Sequence, residues 1–365
     1  MVRLAEIVEA LFDLAPPELA SEGDNSGLQV GDLKARVSRA IVALDVSTNL
    51  IRQARAQRAQ LAVVHHPLIF TPLKSISADS YPARMAMEAI RAGLAIVAMH
   101  TNLDYAPRGV NDRLAETLGL KEVRPLLPWG KGGLLKLVVF VPQESQGRVR
   151  RAMCEAGAGE IGNYRACSFR SAGTGTFRAQ EGAHPSIGKV GRMEEVAEDR
   201  LEVLVEKHCL PRVLKAMLAA HPYEEAAYDL YPVENFSPGA GRGRVGRLPR
   251  SLSLKSLARR AEEALNAKQV RITGDPGRKI TTVAVSSGSA RGMVEAARRM
   301  NADALLAGEI PHHERLEAAD DGLGVIELGH GPSERPAVWV LAEWLEQAFG
   351  KRLEVIRYDP GEVGE

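Results

Sequence analysis

Three segments of this chain place histidine and carboxylate where a short apolar run stops. They are Leu61-Ala-Val-Val-His65-His66-Pro67, Leu94-Ala-Ile-Val-Ala-Met-His100-Thr-Asn-Leu-Asp104 and Val325-Ile-Glu-Leu-Gly-His330-Gly-Pro-Ser-Glu334. Imidazole and carboxylate together suit Zn, Fe, Mn or Co. His65, His66, His100, Asp104, His330 and Glu334 make six candidate ligands, and a single catalytic zinc takes about three from the protein. Two divalent ions sharing the set is the economical reading. Each segment alone also has a plainer one. His65 and His66 can be satisfied histidines at a strand-end turn, Asp104 can cap a helix beside a hydrogen-bonded His100, and Glu334 can serve a helix start through a capping box or the dipole. Ser333 is placed to cap the last helix.

A fourth segment, Gly308-Glu309-Ile-Pro311-His312-His313-Glu314, follows another apolar run. Glu309, His312 and His313 read as groups that face substrate, orient ligands or shuttle protons, or else as solvated residues at a helix start. His184, His208 and His221 lack acidic partners at ligand spacing and read as structural.

Ligands so far apart in the chain meet only if the fold brings strand ends together. Apolar runs of this length read as buried strands, and in α/β sheets ligands bind beyond the carboxyl ends of strands. Expected strands lie at Ala40–Leu44, Leu61–Val64 and Leu94–Met99, with helices from Leu4 to Leu11, Ile51 to Ala59 and Ala83 to Ala92 between or before them. A similar alternation returns after residue 243: a helix at Leu254–Leu265, strands at Val270–Ile272, Thr281–Val285, Ala302–Leu306 and Val325–Leu328, and a last helix at Ala337–Phe349. Between these halves the order is strand (Leu134–Val141), helix (Glu144–Ala156), two extended runs (Cys167–Phe177 and Leu201–Glu206), helix (Pro211–Ala220) and strand (Ala226–Tyr231). That βαββαβ order is ferredoxin-like. The expected fold class is an α/β body with mixed sheets, split into residues 1–127 and 237–365 by a ferredoxin-like α+β insert over 128–236. The three His/carboxylate strand ends are expected on one sheet. Glu234 to Gly243 reads as a flexible linker.

Composition narrows the function. The chain has 365 residues, 45% of them apolar and 25% charged, with a formal net charge of +1. That balance gives no strong nucleic-acid or membrane signal, and the arginines from Arg242 to Arg250 read as solvated surface. No run approaches the roughly 20 apolar residues that span a bilayer. The three cysteines, Cys154, Cys167 and Cys209, are well separated, which fits a reducing cytoplasm rather than a disulfide framework. Gly241-Arg-Gly243-Arg-Val-Gly246 matches GxGxxG literally, but a dinucleotide site needs a strand before it and a helix directly after. Here a Pro/Gly stretch precedes and Leu248-Pro249 follows.

The segments Asp24-Asn-Ser-Gly-Leu-Gln-Val-Gly31, His65-His-Pro-Leu-Ile-Phe70, His100-Thr-Asn-Leu-Asp104, Gly308-Glu-Ile-Pro-His-His313 and Gly329-His-Gly-Pro-Ser-Glu-Arg-Pro336 resemble, in order, those of the Nif-three-like dinuclear metal-centre family, often labelled GTP cyclohydrolase I type 2 homologues. The insert, with Gly191-Arg-Met-Glu194 and His221-Pro-Tyr-Glu-Glu225, is similar to the CutA-like or PII-like module of the longer bacterial members. Gly23 and Ala307 depart from the family pattern and touch no proposed ligand. The resemblance implies that His65, His66, Asp104, His330 and Glu334 bind two divalent cations, with His100 a sixth ligand or a group behind the ligands. It implies a toroidal homohexamer with the metal sites facing an internal cavity. The expected activity is metal-dependent hydrolysis of a nucleotide or phosphoester, GTP ring opening being the family label, with Glu334, Glu309, His312 and His313 as catalytic candidates. The alternative is a non-enzymatic metal carrier or regulator.

Overall fold

The computed structural model describes residues 1–129, 133–162, 164–234 and 239–358. The chain divides into two compact units, Met1–Pro128 with Gly239–Glu365, and Trp129–Pro238. Each is considered by itself.

The first unit is built on two large sheets, beside a two-stranded pair of Val2–Arg3 with Arg36–Val37. One has five strands in the order Glu354–Arg357, Arg39–Ala43, Leu61–Val64, Ala95–Ala98, Gly27–Val30. The first four are parallel, and the last pairs antiparallel to its neighbour. Every residue of Leu61–Val64 and Ala95–Ala98 is buried. Continuous apolar strands of this kind belong where both faces of a parallel sheet are covered. The helices Thr48–Ala56 and Tyr81–Ala92 supply cover through Leu50, Ile51, Ala54, Met85 and Ala89. Ser47 caps the first helix by accepting from Leu50 N–H, and Gly93 ends the second in the left-handed region.

The other sheet has six strands, ordered Arg271–Thr273, Gly324–Glu327, Ala304–Glu309, Lys279–Ser289, Gly241–Ser253, Lys121–Pro128. Its centre is parallel and its flanks antiparallel. One apolar cluster joins Val283, Val285, Leu306 and Ile326 to Leu254, Leu257 and Leu265, and another joins Ala284, Leu305 and Val325 to Met293, Val294 and Ala297.

Both sheets draw strands from both ends of the chain. Lys121–Pro128, from the N-terminal part, edges the second sheet, and Glu354–Arg357, from the C-terminal part, edges the first. Neither strand was anticipated. Lys121–Pro128 carries two prolines and is mostly exposed, a composition that reads as a boundary but that an edge strand tolerates. The linker reading of Glu234–Gly243 needs correction as well. Residues 235–238 lie outside the described residues, and Gly241 already opens a thirteen-residue strand. Ladders on both sides hold that glycine-rich segment extended. Its GxGxxG glycines therefore lie within a strand rather than at a helix start, which disposes of a dinucleotide loop.

The arginine reading fails at one position. Arg244 is 1% exposed. Its guanidinium donates to both Asp112 oxygens, at 2.8 and 2.7 Å, and to the carbonyls of Ala106, Gly239, Gly241 and Gly243. Asp112 sits in the helix Val110–Thr117 of the N-terminal half, so this ion pair ties that half to the six-stranded sheet.

In the second unit the strands run Tyr228–Pro232, Leu134–Pro142, Met193–Glu206, Ser168–Arg178, all antiparallel. The helices Gln146–Glu155 and Leu210–Ala220 pack Val149, Met153, Val213 and Met217 onto Leu137, Val139, Leu201 and Val203. This is the ferredoxin-like arrangement. His208, expected to lack an acidic partner, has Glu206 at 3.2 Å. No helix among the described residues is long and apolar enough to cross a membrane.

Replacing Asp112 by Ala leaves the Arg244 charge buried against carbonyls alone. Breaking one side of a buried pair costs about 3–5 kcal/mol, and the four carbonyl acceptors set the expectation near 3. Chemical denaturation of Asp112→Ala against the parent checks this. A loss well under 1 kcal/mol refutes the structural role of the pair.

Candidate metal centre

The candidate residues follow the carboxyl ends of parallel strands, but of two sheets rather than one. His65 and His66 follow Leu61–Val64, and His100 follows Ala95–Ala98 two residues on. His330 opens a five-residue helix, His330–Glu334, beyond Gly324–Glu327 of the other sheet. The expectation of a single sheet is therefore corrected: the strand ends of both sheets converge. The i, i+4 spacing then works as helix geometry dictates. His330 and Glu334 lie on one face, with His330 Nε2 3.2 Å from Glu334 Oε2. Thr101–Tyr105 is likewise helical, which brings Asp104 to the side of His100.

Glu334 is the hub. Its Oε2 lies 2.8 Å from His66 Nε2, and its Oε1 3.8 Å from His65 Nε2. Asp104 Oδ1 is also 3.8 Å from His65 Nε2. The rings of His65 and His66 are 5.0 Å apart between centroids, and His100 and His330 each lie 5.5–5.8 Å from one or both of them. His65, His66 and Glu334 form a group able to hold a metal ion. Two donors each about 2.0–2.1 Å from one ion sit about 3.0–3.4 Å from each other, so the spacings found here bracket that value. The decisive detail is what these atoms lack. His65 Nε2, His66 Nε2 and Glu334 Oε2 are buried and make no hydrogen bond of acceptable geometry. Buried polar atoms are almost always satisfied, and three orphaned donors aimed at one point fit a cation.

The opposite edge of each ring shows how they are aimed. His65 Nδ1 bonds the Met99 carbonyl at 2.7 Å, His66 Nδ1 bonds Asp45 at 2.8 Å, and His100 Nδ1 bonds Asp24 at 2.7 Å. Holding Nδ1 leaves Nε2 for the centre, the usual support of a metal-binding histidine. Asp24 is itself fixed by Thr101 N–H and by the hydroxyls of Thr101 and Ser26. Ser287 Oγ donates to Asp104, and Asn111 joins Ser287 N–H to the Asp104 carbonyl.

The electrostatics follow from this crowding. Burial works to raise the Glu334 carboxyl, but the three imidazoles, His330 foremost, hold it well below the usual range. Burial opposes charge on His66, yet the Asp45 and Glu334 carboxylates push it up to about 10. Glu334 outweighs burial at His330 and pushes it up to about 9. Burial raises Asp104; His65 pulls the other way, and the Glu334 charge adds to the rise. At Asp24 burial is overcome by His100 and Thr101, and the carboxyl stays well below its ordinary value.

Several positions that matter were not singled out from the sequence. Asp24, Asp45, Ser287 and Gly288 are the clearest. Asp45 obeys the strand-end rule that flagged the histidines, two residues after Arg39–Ala43, and Asp24 lies in a motif already matched. Gly288 is legible only in three dimensions: its φ is +55°, and a Cβ there would lie 2.1 Å from Glu334 Oε1. Ser333 departs from its expected capping role, since its hydroxyl donates to the His330 carbonyl and accepts from Gly288 N–H. Glu309 is exposed at the end of its strand, 3.4 Å from His330 Nδ1. His312 and His313 are exposed at the start of the helix His312–Asp320. His312 contacts Arg315 there.

An adjoining cavity of about 320 Å³ reaches His100, Asp104, His330 and Glu334, and it is also lined by Arg242, Ser21, Thr101, Ser287 and Ser289. Among the described residues neither His312 nor His313 lines it.

Comparison with known proteins agrees with this architecture. The family described as Duf34/NIF3 (NGG1p interacting factor 3) matches residues 2–360. The chain belongs to the NIF3 family. A relative from Halalkalibacterium halodurans, named GTP cyclohydrolase 1 type 2 homolog, is 39% identical over 97% of this chain and 94% of its own. A Bacillus subtilis relative of the same name is 40% identical over 89% of this chain and 87% of its own. Among solved structures, a Bacillus cereus protein related to NIF3 superposes with a TM-score of 0.87, at 36% identity, over 99% of this chain and 98% of that one.

The NIF3 ring supports can be tested directly. Asp45→Ala takes the acceptor from His66 Nδ1. Outer partners of this kind typically contribute about 10–100-fold to metal affinity. Titration with zinc under competition by a chromogenic chelator is expected to show a loss in that range, with the fold unchanged by circular dichroism. Gly288→Ala should weaken zinc as well, because the added methyl occupies the position of Glu334 Oε1. Zinc affinity unaltered in both variants contradicts the geometry described.

Proposed function

We propose that the chain is a dinuclear metal-dependent hydrolase acting on a nucleotide or another phosphoester. The observation that carries this reading is the trio of orphaned buried atoms on His65, His66 and Glu334. His65, His66, Asp104, His330 and Glu334 would hold two divalent ions (zinc, iron, manganese or cobalt), with His100 a sixth ligand or a support behind them. When bound, such ions supply Lewis acidity and make water a stronger acid, the basis of metal-assisted hydrolysis.

The chain's own residues do the rest. Arg242 donates to the Ser289 and Arg291 carbonyls at 2.7 and 3.0 Å, which sets its guanidinium in the cavity wall. A fixed guanidinium in the wall suits a phosphate or another anionic group. Glu309 is exposed and close to His330, so of the expected proton carriers it is best placed to exchange a proton between the centre and water. His312 and His313 would join it only if substrate or a neighbouring subunit reaches them. The curated relatives' name makes GTP a natural first substrate to assay. The resemblance to the family supports a homohexamer, and the three cysteines, all free thiols, support a reducing cytoplasmic setting.

A metal carrier is the second reading, because the His330 side chain is 41% exposed and leaves one edge of the centre open. Turnover separates the two. Metal-loaded protein is to be assayed with GTP and a panel of phosphomono- and phosphodiesters, beside Glu334→Gln. The hydrolase reading expects at least one substrate to turn over, and it expects Glu334→Gln to lose about 10²-fold or more in rate along with metal content. No turnover across the panel, with quantitative transfer of metal to an acceptor chelator, decides for the carrier.

A further inference from the structure

We propose that the ferredoxin-like insert carries a separate small-molecule site, a cavity that takes a small organic cation with a flat apolar body. The cavity measures about 560 Å³, within the span of roughly 300–1,000 Å³ usual for ligand pockets. It lies wholly within the insert and shares no residue with the metal centre.

Its floor is a buried acid. Glu198, on the strand Met193–Glu206, is 8% exposed. Oε1 accepts from the Tyr223 hydroxyl at 2.9 Å. Oε2 occupies the space over Gly175, where a Cβ would come within 2.1 Å of it. The neighbouring strand thus gives up a side chain at the point where the carboxylate lies. Burial, with the Glu198 charge, pushes the Tyr223 hydroxyl well above its ordinary value, so it stays protonated and donating.

The walls are aromatic. Phe177 and Tyr223 lie 6.0 Å apart between centroids at 59°, and Phe140 is the third aromatic residue of the lining. Phe140 already shows the preference of such a ring, because the Arg200 guanidinium stands 6.0 Å from its centroid. The charged residues lining the cavity are Glu198, Glu224 and Glu225 against Arg178, and even with Arg200 beside Phe140 negative charge prevails. An anion entering here would meet a buried carboxylate. A cation meets it with a charge-assisted hydrogen bond, and its flat body meets ring faces that attract positive charge. A carboxylate held on one oxygen by a tyrosine, among aromatic rings, is more than a solvated acidic patch.

The test uses the full chain, titrated calorimetrically with benzamidine, a flat aromatic cation, and with benzamide, its neutral counterpart. Benzamidine is expected to bind saturably and benzamide at least about tenfold more weakly, the charge-assisted hydrogen bond to Glu198 and the cation–π contact acting together. Glu198→Gln should reduce that preference to the few-fold that the ring faces alone supply, while leaving zinc content unchanged. Phe177→Leu keeps an apolar wall but removes a π face, and should weaken benzamidine several-fold without affecting benzamide; it serves as the second variant if Glu198→Gln misfolds. Absence of saturable benzamidine binding up to millimolar concentration, equal binding of the two probes, or a preference undiminished in Glu198→Gln would overturn the proposal.

Discussion

The body of this protein is organised around one buried carboxylate. Glu334 reaches toward three imidazoles, two delivered by a strand end of one sheet and one by its own short helix beyond the other. A buried carboxylate is costly unless positive charge or hydrogen bonds surround it. The two sheets must therefore hold their carboxyl ends together for the carboxylate and the imidazoles to meet. Much of the surrounding structure serves that end. Gly288 vacates the space that the carboxylate oxygen needs, and Ser333 pins the turn of the short helix to the Gly288 amide.

The imidazoles are positioned from behind. A main-chain carbonyl and two aspartates take the Nδ1 atoms of His65, His66 and His100, so each ring is oriented without using the nitrogen that faces the centre. Those acceptors come from separate parts of the first half of the chain. Asp24 belongs to a glycine-rich turn before an edge strand, Asp45 follows a central strand, and Met99 ends another. The supports are spread through the N-terminal fold, whereas the carboxylate they serve arrives from the C-terminal part. The centre thus forms only when both halves have folded onto each other.

The same dependence is built into the framework. Each of the two large sheets of the body is edged by a strand from the opposite end of the chain, and the Arg244–Asp112 pair fastens the N-terminal helix Val110–Thr117 to the six-stranded sheet. Asn111, next to Asp112, ties Ser287 N–H to the Asp104 carbonyl. One helix turn thus supports both the junction of the halves and a candidate ligand. A long insertion between the halves is compatible with this because it leaves and re-enters at neighbouring strands: Pro128 pairs with Gly241.

The sequence by itself determined the elements and the chemical character of the centre. Continuous apolar strands and helix-period faces are local signals, and histidines at strand ends stand out because ligand chemistry limits the residue types. The βαββαβ order of the insert was legible for the same local reason. Tertiary structure decided what depends on partners far along the chain. The strands Lys121–Pro128 and Glu354–Arg357 exist because edges of remote sheets accept them, not because their own residues demand extension. Arg244 is buried because Asp112 and four carbonyls happen to surround it, and its neighbours in sequence give no hint of that. Asp24 and Asp45 became ring supports, and Gly288 a necessary gap, only once the fold set them against His100, His66 and Glu334. The convergence of two sheets on one point is likewise a matter of packing, since a strand-end pattern says where a ligand leaves its strand and not which sheet it will face.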